Sequence, residues 1–355
     1  NAMKSYPYCI NVDWLQVYCS DKNTGRLDWE YNVMQSYEFV LRPHTSRHFA
    51  EIWEVRTVDG DEFAVIQRRP LSSILPPDAA IVQLCNRELY RAGFAYKFYL
   101  WLKTYGFRYK SISRIDLCFD STRWAHGLKP SNFVARFLAK EYLMNSKTRL
   151  SMNFTINAKM KSGFDMNSFS FGSKSSPVFT RLYNKSLELK EVKMKPYIME
   201  IWGFNDLDVS EDVWRIEFAV KSEGAKLVHT ETGELFRLNL SDIEFQDQVE
   251  RLFFAYADKY FCWKINDGQK NKSRMKDLQI FPKERGRTIR PVRMTSKTDS
   301  SRSDRIFLKK LHTYMRELGN RDDETESALW RVSDIVAFDK SLVKWRNNKL
   351  IKKEK

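Results

Sequence analysis

The sequence predicts an α+β fold in which a large, mainly antiparallel sheet carries helices on one of its faces. Segments rich in β-branched and aromatic residues fill the N-terminal third and the middle of the chain. Such a composition is typical of strands. Only a few segments with apolar residues at helical spacing interrupt or follow them. A basic linker and C-terminal helices complete the predicted architecture.

The N-terminal third is predicted to contain strands followed by one helix. Residues 8–18 form a first strand, and residues 51–67 form a hairpin that turns at Gly60. From 86 to 105 the apolar spacing becomes helical, and Gly106 is a typical residue to end a helix.

A second block of strands is predicted over residues 109–220. One helix that begins at Ser131 interrupts this block, and another helix begins at Ser241 and carries apolar residues as far as Tyr256. Both helices are predicted to begin at serine because its hydroxyl accepts a hydrogen bond from the first helical turn.

The chain is predicted to divide into three segments. Residues 3–282 form the main domain, 283–305 a basic linker, and 306–355 a C-terminal helical segment. The linker is rich in lysine and arginine and poor in apolar residues, which suits either an arm that contacts DNA or a solvated tether.

Composition limits the classes of function. The chain has 355 residues, of which 43% are hydrophobic, so it can bury a core and is not disordered throughout. Its net charge of +15 indicates a polyanionic partner, with nucleic acid the first candidate and an anionic membrane surface the second. A positive surface that serves solubility alone remains an alternative.

The cysteines indicate a reducing compartment. Their number is five, they are widely spaced, and no CxxC occurs, which argues against a disulfide framework or a zinc site. We see no signal peptide and no run of 18 apolar residues. We therefore expect a cytoplasmic protein that is not a membrane protein.

One strand in the middle of the chain has a polar face and an apolar face. Side chains alternate across a strand, so Arg114, Asp116 and Asp120 share one side of the segment 114–120. Ile115 and its apolar companions lie on the other side.

Two later segments repeat this pattern. The same alternation groups Arg181, Tyr183 and Lys185 on one face, and it sets Arg215 and Glu217 opposite apolar neighbours. If these strands are neighbours in one sheet, their polar side chains converge with those of the first strand. That adjacency is a hypothesis at the level of sequence.

The combination of residue types suits phosphodiester chemistry. Paired carboxylates are ligands for Mg²⁺ or Mn²⁺. Arginines such as Arg114, Arg181 and Arg215 can grip phosphate, and Lys185 adds a point charge. A tyrosine needs a cation or a base nearby to become a nucleophile. A solvated strand face with an ordinary cross-strand tyrosine is the structural alternative.

Five segments, taken in order, resemble the replication initiation factor family, the Rep_trans group. This family includes rolling-circle plasmid initiators and related relaxases of mobilizable and integrative elements. The similarity covers residues 10–221. The segments are INVDWL at 10–15, RIDLCFD at 114–120, FSFGSKS at 169–175, RLYNK at 181–185 with Glu188 following, and WRIE at 214–217.

The resemblance implies roles for particular residues. It makes Tyr183 the nucleophile and Asp116 and Glu217 the acidic metal ligands, with Asp120 as a further ligand. It also suggests that the GSKS turn holds backbone phosphate through Ser173, Lys174 and main-chain N–H groups. A simple Gly-Ser hairpin turn is the alternative for that segment.

The resemblance implies a DNA nickase or relaxase. Such an enzyme nicks and rejoins one strand at a specific site through a 5′-phosphotyrosine, with Mg²⁺ or Mn²⁺, to initiate rolling-circle replication or transfer of a mobile element. The implied partner is DNA that is single-stranded at the nick. No P-loop motif is present, so helicase activity would have to come from a partner protein. A homodimer is a further expectation.

The residues bear on four alternative classes of protein. A histidine-hydrophobe-histidine nuclease lacks its motif, and the HxxR match at His44 lies too early in the chain for a tyrosine recombinase. A hydrolytic metal-dependent nuclease could use the same carboxylates with water as nucleophile. A non-catalytic DNA-binding protein would keep the charge and form no covalent adduct.

Overall fold

The computed structural model describes residues 6–23, 25, 27, 36–145, 152–157, 165–282 and 288–292. All of them belong to one compact unit that spans Asn1–Arg293. Within these described ranges no helix is long and apolar enough to cross a membrane.

The strands account for most of the regular structure. In chain order they are β1 (Tyr8–Asp21), β2 (Tyr37–Leu41), β3 (Phe49–Thr57), β4 (Glu62–Pro70), β5 (Ala79–Leu84), β6 (Phe107–Ser121), β7 (Tyr142–Met144), β8 (Met152–Asn157), β9 (Asp165–Phe171), β10 (Val178–Asn184), β11 (Trp214–Lys221), β12 (Lys226–His229), β13 (Leu235–Arg237), β14 (Trp263–Ile265), β15 (Asp277–Leu278) and β16 (Ile289–Pro291).

Six α-helices are present in the described part of the chain. They are α1 (Asn86–Leu89), α2 (Phe94–Thr104), α3 (Pro130–Leu138), α4 (Lys185–Glu191), α5 (Pro196–Phe204) and α6 (Gln246–Tyr260).

Ten strands form one sheet, in the order β2-β3-β4-β5-β1-β6-β11-β10-β9-β8. Every neighbouring pair in it is antiparallel. Two three-stranded sheets accompany it, β13-β12-β16 and β15-β14-β7. The predicted α+β class with a large antiparallel sheet is therefore confirmed, and so is the hairpin around Gly60, which joins β3 and β4.

Helices α2 and α6 cover the apolar face of the sheet. Phe253 of α6 contacts Phe119 of β6 and Phe218 of β11, with ring centroids 5.6 and 5.2 Å apart. Trp101 of α2 stacks on Phe107 at the start of β6 at 6.2 Å. Aromatic rings dominate this core because they bury large apolar areas and favour offset or edge contacts at these distances.

The prediction that helices lie on one face alone was wrong. Helices α4 and α5 pack on the opposite face, where Leu189, Ile198 and Trp202 form a small apolar cluster with Cys9 of β1. The sequence pattern did not predict this because the polar face carries charged residues along its length. Since those charged residues pair with one another, apolar side chains of α4 and α5 can pack over one end of the face.

Several predicted element boundaries also differ. The helix expected over 86–105 is two helices, because Gly93 adopts a left-handed conformation (φ 69°) before α2. Gly106 ends α2 as predicted, with φ 74°. Lys129 and Phe245, rather than serines, precede α3 and α6.

The C-terminal predictions lie mostly outside the described residues. Residues 306–355 are wholly outside them, and only 288–292 of the predicted linker at 283–305 are described. Within that stretch Ile289–Pro291 forms β16, which pairs with β12. The division into three segments stays a prediction.

The aromatic contact between α6 and the sheet generates a stability prediction. Phe253→Ala should lower the free energy of unfolding by about 3–5 kcal/mol, because it leaves a cavity among rings in a close-packed core. Chemical denaturation measures this change. Phe245→Ala is the matched control, since that ring is 60% exposed and its loss should cost less than about 1 kcal/mol. Equal losses for the two variants would contradict the packing described here.

Candidate active site

The three polar segments identified in the sequence lie side by side. Strand β11 pairs with β6 on one edge and with β10 on the other. In this register Glu217 is opposite Arg181 of β10. Ala219, two residues further along β11 and on the same face, is opposite Asp116 of β6. The alternation of side chains puts all three polar groups on the same face of the sheet, as the sequence predicts.

Tyr183 contacts an acidic residue on the neighbouring strand. Its hydroxyl donates a hydrogen bond to Glu217 Oε2 at 2.9 Å. Arg181 donates to the other oxygen of the same carboxylate. Arg181 and Lys185 also place their cationic groups 5.5 and 5.6 Å from the centroid of the Tyr183 ring. The phenol therefore has a proton acceptor at its oxygen and two cations beside its ring.

The environment holds the Tyr183 proton in place. Burial raises the pKa of the Tyr183 hydroxyl well above its usual value, and the negative charge of Glu217 raises it further. Arg215 acts in the opposite direction with a smaller effect. The tyrosine is thus a neutral phenol at physiological pH, and its hydroxyl donates to Glu217.

Asp116 is the second carboxylate of this region. Both of its oxygens accept hydrogen bonds from Arg114, at 2.8 and 2.6 Å. Burial raises its pKa to about 7 despite the hydrogen bond from Arg114, and the charge of Glu217 adds to the rise. Two buried acidic groups that repel each other in this way are stabilised by a shared proton or by a cation.

The fit of this pair to a metal ion is partial. No group of three or more His, Cys, Asp or Glu side chains within the described ranges is arranged to hold a metal ion. Asp116 and Glu217 supply carboxylate oxygens, which are the ligands that Mg²⁺ prefers. Their arginine partners Arg114 and Arg181 are 34% and 40% exposed, so both guanidinium groups can swing outwards and release carboxylate oxygens.

A separate buried network lies under α5 and involves Asp120 and Arg215. Arg215 donates to both oxygens of Asp120 at 2.6 Å, and both side chains are 0% exposed. Trp202 of α5 donates to Asp120 Oδ2 at 2.8 Å. These contacts favour a structural ion pair, since both side chains are fully buried and paired with each other. The predicted roles of Asp120 as a ligand and Arg215 as a phosphate contact stay predictions.

Sequence reasoning missed the partners that complete this network. Asp13 of β1 lies 2.8 Å from Arg215 and accepts a hydrogen bond from the Tyr90 hydroxyl at 2.6 Å. Burial alone would raise the pKa of Asp13, but Arg215 and Lys185 hold it well below its usual range. A bulge in β1 at this point breaks the simple alternation. For that reason the period-two pattern could not assign Asp13 to a face.

Lys185 is the first residue of α4 rather than the end of a strand. Asn184 caps this helix, its side chain accepting a hydrogen bond from Leu187 N at 2.9 Å. Lys185 is buried and lies 2.6 Å from Glu188. The change from strand to helix still leaves its ammonium group beside the Tyr183 ring, so the predicted grouping of the two residues is present.

The GSKS turn joins β9 to β10 and is exposed. Gly172 adopts a left-handed conformation with φ 86°, which favours glycine at this position. Ser173 hydrogen bonds with Ser175 at 2.8 Å, and the Lys174 carbonyl oxygen accepts from Lys221 at 2.5 Å. Lys221 pairs in register with Arg114 across β11 and β6. The turn therefore lies beside the positively charged end of the polar face.

Comparison with solved structures gives a distant similarity in fold. No protein-family model matches the chain, and no curated protein matches it. The chain is similar to a solved structure of a rolling-circle replication initiator protein from Geobacillus stearothermophilus. The two share 14% sequence identity over 77% of this chain and 93% of the other, with a TM-score of 0.44.

The raised pKa of Asp116 generates a prediction about pH. A carboxyl whose pKa is raised on folding loses stabilising free energy as pH rises through its folded pKa, here about 7. Wild type should therefore lose about 2–3 kcal/mol relative to Asp116→Asn between pH 5 and pH 8. Urea unfolding of both proteins at several pH values measures this difference. If the difference in unfolding free energy between the two proteins did not change with pH, the raised pKa of Asp116 would be contradicted.

Proposed function

We propose that the protein nicks and rejoins single-stranded DNA through a 5′-phosphotyrosine at Tyr183, in support of rolling-circle replication or mobile-element transfer. The observation that carries this proposal is the buried contact between the Tyr183 hydroxyl and Glu217. Arg181 donates a hydrogen bond to the same carboxylate, and Asp116 lies on β6, the strand that pairs with the other edge of β11. The net charge of +15 supports DNA as the polyanionic substrate.

These contacts define which group takes up and which group releases each proton in the reaction. Glu217 accepts the phenolic proton as the Tyr183 oxygen attacks the scissile phosphorus. The bond between phosphorus and the 3′ oxygen breaks, and that oxygen takes up a proton and leaves as a 3′ hydroxyl. Glu217 holds the proton that this step requires. Attack by the 3′ hydroxyl on the phosphotyrosine reverses each transfer and rejoins the strand.

The exposed arginines supply contacts to phosphate. Arg181 and Arg114 each bind a carboxylate now, and both are exposed enough to turn towards a phosphate oxygen. Guanidinium groups suit this exchange because they bind carboxylate and phosphate with the same bidentate geometry. Ser173 and Lys174 lie in the exposed turn between β9 and β10. There they can contact the sugar-phosphate backbone of the bound DNA at a distance from the nick.

Asp116 and Glu217 are the residues that would hold Mg²⁺ or Mn²⁺. Such an ion, when bound, supplies a Lewis acid that stabilises charge on the phosphate oxygens. Because Asp116 is repelled by Glu217, a cation between them would also remove an electrostatic cost of folding. Asp120 is not included, since Arg215 and Trp202 occupy its oxygens.

Replacement of the nucleophile tests the proposal. Tyr183→Phe should form no covalent adduct with DNA, because the attacking oxygen is gone. The assay incubates protein, Mg²⁺ or Mn²⁺ and random-sequence single-stranded oligonucleotides with a 3′ label, followed by a denaturing gel. The 3′ label is the informative one, since the proposed linkage joins the protein to the 5′ phosphate of the 3′ fragment.

A neighbouring tyrosine gives the matched control for this assay. Tyr197→Phe removes a hydroxyl that donates to Asn86 near the same buried network, and it should leave the adduct intact. Loss of the Tyr183 hydroxyl should cost about 1.5–3 kcal/mol in stability, because its partner is a buried carboxylate, and both variants should still fold. A labelled adduct that persists in Tyr183→Phe would exclude this residue as the nucleophile. Cleavage without an adduct would indicate a hydrolytic nuclease.

Metal binding is tested separately from activity. If 10 mM Mg²⁺ is about ten times the dissociation constant, it should stabilise wild type by about 1.4 kcal/mol. Asp116→Asn and Glu217→Gln should lose this stabilisation, whereas Glu211→Gln, at a distinct ion pair with Arg123, should keep it. Calorimetric unfolding with Mg²⁺ or with EDTA measures the effect. Equal stabilisation in all four proteins would place the ion elsewhere.

A non-catalytic DNA-binding protein is the second candidate function. The observation that favours it is that all four oxygens of Asp116 and Glu217 already accept hydrogen bonds, while the pKa of Tyr183 is raised. Such a protein would bind the labelled oligonucleotides with strong salt dependence and leave them intact. The adduct assay therefore separates the two functions.

A further inference from the structure

Helix α2 has an aromatic face that points away from the core. Its inner face is buried against the sheet through residues such as Phe98, Trp101 and Leu102. Its outer face carries Tyr96 and Tyr99, which are 53% and 43% exposed. An amphipathic helix of a globular protein normally turns charged or small polar residues to solvent at such positions.

The same outer face is positively charged. Lys97 and Lys103 are exposed there, and at 100° per residue they share one arc with Tyr96, Tyr99 and Leu100. We call these five residues the α2 outer face. Its chemistry combines flat rings with cations and includes no acidic group.

Acidic residues are absent from the chain around α2. Residues 89–105 contain Arg91, Lys97 and Lys103 and no aspartate or glutamate. Tyr99 contacts Tyr109 at the start of β6, with ring centroids 6.5 Å apart and nearly perpendicular planes. The α2 outer face therefore carries a net positive charge, and a polyanion is the partner that this charge favours.

This surface is distinct from the candidate active site. Trp101 packs α2 against Phe107 on the apolar face of the sheet. Tyr183 and Glu217 lie on the opposite, polar face. The sheet itself separates the two surfaces, so the α2 outer face cannot serve as a wall of the nicking site.

We infer that the α2 outer face is a second binding surface for single-stranded DNA. Bases stack on Tyr96 and Tyr99, and backbone phosphates contact Lys97 and Lys103. Single strands are favoured over duplex because only unpaired bases offer their faces to aromatic side chains. A polyanion is favoured over a protein partner because the α2 outer face carries two lysines and no acidic residue. The identity of the partner as DNA rests on the proposed function, whereas the stacking surface itself does not.

Binding of a fluorescent oligothymidylate, followed by anisotropy, tests this surface. The double variant Tyr96→Ala/Tyr99→Ala should bind at least about tenfold more weakly, since two base-stacking contacts are lost. Lys97→Gln/Lys103→Gln should reduce the slope of log affinity against log salt by about 1.4, because two phosphate contacts are removed. All four positions are exposed, so the variants should fold as wild type does.

Matched controls come from exposed residues elsewhere in the chain. Phe204→Ala removes an aromatic ring that is 84% exposed on α5, and Lys270→Gln removes an exposed lysine. Each should change oligothymidylate affinity by less than about twofold, in line with a single surface substitution. An unchanged affinity in both α2 variants would overturn the inference. So would an equal loss for duplex DNA of the same length, because stacking would then play no part.

The adduct assay separates this inference from the proposed function. The tyrosine double variant keeps Tyr183, Glu217 and Asp116, so it should still form a covalent adduct at saturating DNA. An adduct in wild type with no binding defect in the α2 variants would overturn the second surface alone. A binding defect in the α2 variants with no adduct in wild type would support the second surface and overturn the nicking function.

Discussion

The buried ion pair between Arg215 and Asp120 is the contact on which the polar face depends. It links β6 to β11 at the centre of the ten-stranded sheet, and Asp13 and Trp202 attach β1 and α5 to the same guanidinium–carboxylate pair. A buried pair of this kind contributes little net stability, because desolvation offsets attraction. It does fix register, since a slip of one residue would leave two charges buried without partners.

That register decides the surroundings of Tyr183. The tyrosine is opposite Arg215 on the adjacent strand, and Glu217 follows two residues later on the same face. The apolar cluster around Ile198 covers one end of the face. Towards the other end the arginines become partly exposed, and Lys221 and the GSKS turn add charge. A single sheet face thus combines a closed, rigid end with an open, basic end.

The pKa shifts depend on which charges face each buried carboxyl group. In the sealed network positive charge compensates burial, so the pKa of Asp13 is lowered and the carboxylate stays ionised. At Asp116 burial and the charge of Glu217 outweigh a single arginine, so the pKa rises. Two carboxyl groups on one sheet face therefore have opposite character. Of these two carboxyl groups, only Asp116 is repelled by an acidic neighbour, so only Asp116 would gain from an added cation.

Much of the site could be predicted because strand alternation is a local property. The period-two pattern was enough to group Arg181 with Tyr183 and Arg215 with Glu217, and it indicated an antiparallel sheet. It could not assign Asp13, which lies at a bulge, or show that Asp120 points to Arg215 and Trp202. Nor could it place helices α4 and α5 on the polar face, because their apolar residues match either face.

The sequence by itself determined which side chains share a strand face, since that depends only on backbone geometry within a few residues. The tertiary structure alone decided which strands are neighbours, which carboxylates are sealed and which stay within reach of solvent. Those features depend on pairing between distant segments and on the balance between desolvation and charge. The spacing of residues along the sequence gives neither the pairing nor the balance.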